Sequence, residues 1–239
     1  MKSQLLMALI AVLPNTIALA SDSTGSDGLQ DMSDPMAVYT QVGSGITNKG
    51  LNLKLGSAYD TMDPETIAMH VLELKGALGD SLSLEGNDSI NEGRYRHFKV
   101  NTSNGMGSQI DFNWNFEQQS GLASYSFLQA LPAFGPLELY PLAGAGIVLQ
   151  DNEGYEIPAS YATVGLYSKL AISDDVWMNY NPTYSSQLGG DNQLKSMFGF
   201  LHEATVSYQI DSKQNVRFFV NWGKSLDSTN VRLEYNYQL

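Results

Sequence analysis

The sequence predicts an all-β chain closed into an antiparallel transmembrane barrel, and three observations predict it. The first is an apolar N-terminal segment of export type, after which no apolar run reaches the length of a membrane helix. The second is a period of two in hydrophobicity beyond Gly50. The third is that short turn-like connections alternate with longer polar ones, so one end of the sheet is tidy and the other loopy.

From the N-terminus, Lys2, the apolar run Leu5 to Leu13 and the small-x-small site Ala18-Leu19-Ala20 have the layout of a cleaved signal peptide over 1–20. Residues 21–48 are expected to be a flexible acidic segment. Ser21 to Asp34 carries too little apolar surface to order itself, and Asp22, Asp27, Asp31 and Asp34 are spaced like no calcium loop. Met36 to Thr47 reads either as a short strand or as a segment under or inside a sheet.

The barrel is expected over 49–239. Alternation is clearest where Ile110, Phe112, Trp114 and Phe116 oppose Asp111, Asn113, Asn115 and Glu117. It recurs where Leu51, Leu53 and Leu55 oppose Asn52 and Lys54, and where Val216, Phe218, Val220 and Trp222 oppose Arg217 and Asn221. Strands are expected at 51–59, 66–78, 80–86, 94–102, 108–117, 121–131, 137–150, 157–171, 175–184, 194–210, 215–223 and 229–239. That makes twelve, an even number that returns the last strand to the side of the first. Asp63-Pro64-Glu65 followed by Ile67, Val71, Leu74 and Leu78 also fits a helix, which would leave ten; eight is the lower alternative.

Short turns are expected at Gly79-Asp80, Asn104-Gly105, Pro132 to Pro136 and Ser173 to Asp175. The opposite rim is expected to be acidic, with Asp60, Asp63, Glu65, Asp88, Glu92, Asp151, Glu153, Glu156, Asp191 and Asp227. Tyr59, Tyr95, Tyr155, Trp177, Tyr180, Tyr184 and Trp222 lie near strand ends, where aromatic rings suit a lipid-water interface.

Lipid on the apolar face puts the other face in the lumen. Strand by strand, the lumen-facing candidates are Lys54, Glu73, Lys75, His97, Lys99, Asp111, Glu117, Lys169, Glu203, Arg217, Arg232 and Glu234. Their signs are mixed, which suits either mutual pairing or a water-filled passage with an electrostatic preference.

Composition excludes other classes. With 13 Lys+Arg against 25 Asp+Glu the chain has no basic stripe for nucleic acid. No cysteine is present, so thiol chemistry and a disulfide scaffold are both ruled out. The histidines are His70, His97 and His202; Ser103 follows His97 and Glu203 adjoins His202, but neither spacing matches a serine-hydrolase signature. No catalytic residue, metal site or cofactor is expected.

The signal segment, the strand-turn pattern over 50–239 and the closing strand together resemble small Gram-negative outer-membrane β-barrel proteins. In the last strand Val231, Leu233, Tyr235, Tyr237 and Leu239 share one side, ending in Leu where that class usually has Phe. The resemblance implies an outer-membrane location, a C-terminal signal for the barrel-assembly machinery, and outer-membrane lipids and lipopolysaccharide as surroundings. The expected protein is a monomer with its short turns toward the periplasm, acting as a porin-like channel for ions or small polar solutes. The alternatives are a non-conducting structural barrel, an outer-membrane lipid acyl hydrolase and a secreted soluble β-sandwich.

Overall fold

The computed structural model describes residues 29–224, 226 and 228–239. The signal-peptide expectation at 1–20 and the tail at 21–28 lie outside the described residues. The strands are β1 (Gln41–Thr47), β2 (Gly50–Asp60), β3 (Thr66–Ala77), β4 (Glu92–Asn101), β5 (Met106–Asn115) and β6 (Ser120–Gln129). They continue as β7 (Leu137–Asp151), β8 (Tyr155–Ala171), β9 in two pieces (Val176–Tyr180 and Thr183–Gly190), β10 (Phe200–Asp211), β11 (Gln214–Gly223) and β12 (Asn230–Gln238). Strand β9 breaks at Pro182, which has no N–H for the ladder.

Each strand pairs antiparallel with its neighbours in sequence, and β1 closes the ring on β12, from Gln41 opposite Gln238 to Thr47 opposite Arg232. The result is a closed 12-strand barrel. Closure leaves no sheet edge, the condition for placing backbone N–H and C=O groups in lipid.

The expected strand number holds through two compensating differences. Segment 80–86 is not a strand: Asp80–Leu82 is a single 3-10 turn in a long connection. Its polar residues bond locally, Ser81 N and Oγ donating to the Asp88 carboxylate at 2.7 and 2.8 Å. The missing strand is β1, whose lumenal positions include Gly43 and Gly45 and so carry no alternation of large side chains. A Cβ on Gly45 would sit 2.7 Å from the Leu233 carbonyl oxygen, so the close approach of β1 to β12 requires glycine.

The exchange corrects the assignment of one connection. Residues 61–65 lie at the end that carries Leu239 and the 102–105, 130–136, 172–175 and 212–213 connections, here termed the turn end. Asp60, Asp63 and Glu65 therefore leave the predicted acidic rim, while 78–91, 152–154 and 191–199 lie at the opposite, loop end, and Asp227 lies outside the described residues. Residues 66–77 form a strand, paired on both sides, despite their helical spacing. Asp63 ends the preceding turn: Thr66 Oγ1 and the Glu65 N–H both donate to its carboxylate, which holds its pKa below the usual value.

The outward face is apolar along the strand centres, where Leu53, Leu55, Leu72, Ile110, Phe127, Val164, Val206, Phe218 and Leu233 are exposed. A belt of this kind has no water-compatible partner and is the lipid face of a membrane barrel. Aromatic groups flank it: Tyr59, His70, His97 and Tyr95 stack toward the turn end, and Phe200, His202 and Trp222 toward the loop end. Trp177 is a correction, being buried on the inward face beside Ser207 in the β9–β10 register.

The N-terminal segment differs most from expectation. From Leu29 onward it is packed rather than loose, with Met32, Met36, Ala37 and Val38 buried. Met36 and Val38 join Met69, Val71, Val100, Leu128 and Tyr140 in one apolar cluster inside the barrel. Asp31 and Asp34, expected in a solvated tail, reach Lys169 Nζ at 3.4 Å and the Tyr140 hydroxyl at 3.3 Å.

Candidate functional site

The candidate site is the lumen, and strand register decides what enters it. The direct pairs Lys54–Glu73, Glu73–Arg94, Arg96–Asp111 and Arg217–Glu234 fix one inward face around the ring. Of the expected residues, Lys54, Glu73, Lys75, Asp111, Lys169, Glu203, Arg217, Arg232 and Glu234 lie on it. Three do not. His97 and Lys99 point outward with Leu72 and Ile110, and Glu117 is exposed in the β5–β6 turn.

The β4 assignment fails because its inward face joins Arg94 and Arg96 to the apolar Phe98 and Val100, which pack in or against the cluster inside the barrel, so a rule that turns apolar residues to lipid points His97 and Lys99 inward. The true inward pair, Arg94 and Arg96, was missed. Their signal lay in the neighbouring strands, because Glu73 and Asp111 supply acids at matching heights. Arg94 grips Asp111 through two nitrogens, its Nε at 2.8 Å, and Arg96 pairs with Glu73.

Ion pairs continue around the wall. Lys54 meets Glu234 at 2.5 Å, with Arg232 Nε 3.3 Å from the other oxygen of that carboxylate. Lys75 meets Glu92 at 2.6 Å and Glu73 at 3.6 Å. Nearer the turn end, Lys169 lies 3.3 Å from Glu138. Arg217 donates to Ser207 Oγ and Asn179 Oδ1, each at 3.2 Å, while Asn181 Nδ2 donates to Glu203 at 3.0 Å. Charges removed from bulk water here are held by partners.

The two ends of the lumen differ. At the loop end a recess of about 170 Å³ is lined by carboxamides, including Asn48, Asn52, Asn91, Asn115, Asn221 and Asn230, with Lys75, Glu92 and Arg232 at its base. On another side of that mouth the 191–199 connection folds inward, packing Phe198 and Leu194 against Val148, Ala159 and Tyr161. At the turn end residues 29–40 cross the opening.

The histidines bond tyrosines on the outward face. Tyr59 Oη lies 2.7 Å from His97 Nε2, Tyr95 Oη 2.7 Å from His70 Nδ1, and Tyr180 Oη 2.9 Å from His202 Nδ1. Ser103, in the β4–β5 turn, instead donates to Asn101 Oδ1 and Glu65 Oε2. That geometry supplies no histidine-activated serine there. Among the described residues no cluster of His, Cys, Asp and Glu is arranged to hold a metal ion.

The sequence matches no protein-family model and no curated protein. The fold, however, is shared with solved structures. The KdgM porin superposes with a TM-score of 0.52 at 9% identity over 84% of this chain and 99% of its own. The NanC porin gives 0.55 at 10% identity over 84% of this chain and 100% of its own. At such identities the likeness is one of fold. With the closed ring and the apolar belt, it gives the chain the fold of the outer-membrane β-barrels, a closed membrane-spanning sheet.

Proposed function

We propose that this barrel is a small porin-like channel for passive diffusion of ions or small polar solutes. The observation that carries this reading is the polar lining of the inward face, which holds charges of both signs below a carboxamide-lined recess open at the loop end. Solutes would move past side chains without a reaction, so no cofactor is invoked. The fold shared with two porins supports the same reading. Single-channel recording in planar bilayers tests it: discrete conductance steps are expected at least from protein lacking residues 29–38, which cross the turn-end opening, once its folded state is verified by its heat-dependent mobility in SDS. Silence from such a preparation, with and without residues 29–38, would favour a structural barrel, a second reading supported by the pairing of the lumenal charges.

The C-terminal residues Val231, Leu233, Tyr235, Tyr237 and Leu239 are proposed as the signal for the barrel-assembly machinery, acting on an exported monomer that ends among outer-membrane phospholipid and lipopolysaccharide. Their alternate positions leave one apolar ridge on the outside of β12. Removing Leu239 and replacing Tyr237 with Ala is expected to lower the folded fraction in cells severalfold while leaving refolding into detergent micelles unchanged. Equal loss in both settings would mean that the ridge only stabilises the strand.

A further inference from the structure

We propose that residues 29–40 are a plug that closes the turn-end mouth of the barrel. The inference deepens the channel reading, because the closed mouth lies on the route that reading requires.

Placement comes first. The segment lies outside every strand ladder, yet it meets inward residues all around the ring: β3, β4, β6 and β7 through the apolar cluster, β5 through Met36 against Gly107, and β8 through Lys169. Gln209 Nε2 on β10 lies 3.4 Å from Met32 Sδ. On β12 the Gln238 side-chain amide exchanges two hydrogen bonds with the backbone of Gln30, accepting from its N–H at 2.8 Å and donating to its carbonyl at 3.1 Å. A chain leaning on one wall would not reach these strands together.

Compactness follows from local chemistry. The Asp34 N–H donates to the Asp31 carbonyl and the Ala37 N–H to the Asp34 carbonyl, both at 3.1 Å, giving two successive turns. The side chains of Asp31 and Asp34 accept from the N–H groups two residues on, Ser33 and Met36, at 2.8 Å each. The segment therefore fills width instead of running along the barrel.

The attachment is non-covalent. Its ion pair to the wall, Asp31–Lys169, spans 3.4 Å between a buried Lys169 and an Asp31 side chain that is 64% exposed. The rest is burial of Met32, Met36, Ala37 and Val38 together with the hydrogen bonds of Gln30, Met32 and Asp34 to Gln238, Gln209 and Tyr140. The ring closes without the segment, since β1 begins at Gln41 and pairs on both sides.

The chain has no cysteine, so a single introduced thiol reports cleanly on access. Val71 is 2% exposed on the inward wall, within the same cluster as Met36 and Val38, and Val71→Cys changes little volume. Labelling by a membrane-impermeant maleimide is compared in this background, in the same chain lacking residues 29–38, and in the same chain with Met36→Asp. The second variant leaves every strand intact and sets a carboxylate beside Asp34 in the apolar cluster. Each preparation is first shown to be folded by its heat-dependent mobility. Labelling is expected to rise at least about tenfold in both variants, as for local opening of a protected site, and conductance to rise with it. Labelling that is unchanged in the folded variants overturns the plug. Faster labelling with no conductance in any variant leaves the plug standing and overturns the channel.

Discussion

Leu55→Arg is expected to destabilise the barrel by about 2–4 kcal/mol, the range for a basic side chain on the lipid face at the bilayer midplane. Leu55 sits at the centre of β2, 58% exposed, between Val42 of β1 and Leu72 of β3 on the outward face. Its sequence neighbour Lys54 already carries a charge, but on the inward face, where Glu234 receives it at 2.5 Å. The same cation thus belongs at one position and is costly one residue later. Denaturant midpoints in lipid vesicles measure the difference, with Ser57→Arg, nearer the turn end of the strand, expected to cost only about 0–1 kcal/mol. On a soluble sandwich an exposed Leu would tolerate Arg to within about 0.5 kcal/mol, so an unmoved midpoint for Leu55→Arg would sink the lipid-face assignment and with it the membrane location.

That contrast explains which parts of the fold were legible in the sequence. Where one face is apolar and the other polar, as in β2, β5, β11 and β12, a parity slip would turn leucines into the lumen and charges into lipid, so register is fixed by pattern alone. Strand β4 carries Arg94 and Arg96 on the same face as the apolar Phe98 and Val100, and that face is recognisable as inward only when Glu73 and Asp111 stand beside it. Strand β1 was hidden because Gly43 and Gly45 carry no side chain to pattern, although that smallness lets β12 approach. The segment 80–86 imitated a strand because Leu82 and Leu84 alternate with polar residues, while Asp80, Ser81 and Asp88 have stronger local partners. The plug was least legible. Its Met36 and Val38 are buried only by the closed ring, against wall residues such as Tyr140, a long-range condition that composition over 21–34 does not contain.

Glu73 carries the second large expectation. Its side chain is 8% exposed, pairs with Arg96, stands 3.6 Å from Lys75 and lies directly opposite Lys54 in the ladder. Lys54 and Lys75 have second acidic partners in Glu234 and Glu92, whereas Glu73 is the only carboxylate paired with Arg96 among the described residues. Glu73→Ala therefore leaves a guanidinium on the inner wall without its counter-charge, and the expected loss is about 3 kcal/mol, the lower end of the range for breaking a buried pair. Glu73→Ala combined with Arg96→Met is expected to recover much of that loss, because the penalty belongs to the orphaned cation rather than to the missing bond. If the lumen is water-filled at this height, Arg96 would be hydrated at once and the single change would cost under about 1 kcal/mol, as for an exposed pair. The size of the loss thus measures how dry the wall is. In the conducting protein the same substitution removes a fixed negative charge from the passage, so the reversal potential under a salt gradient is expected to shift toward anions. A shift toward cations, or none alongside a full stability loss, would mean that ions pass out of reach of the Glu73–Arg96 wall.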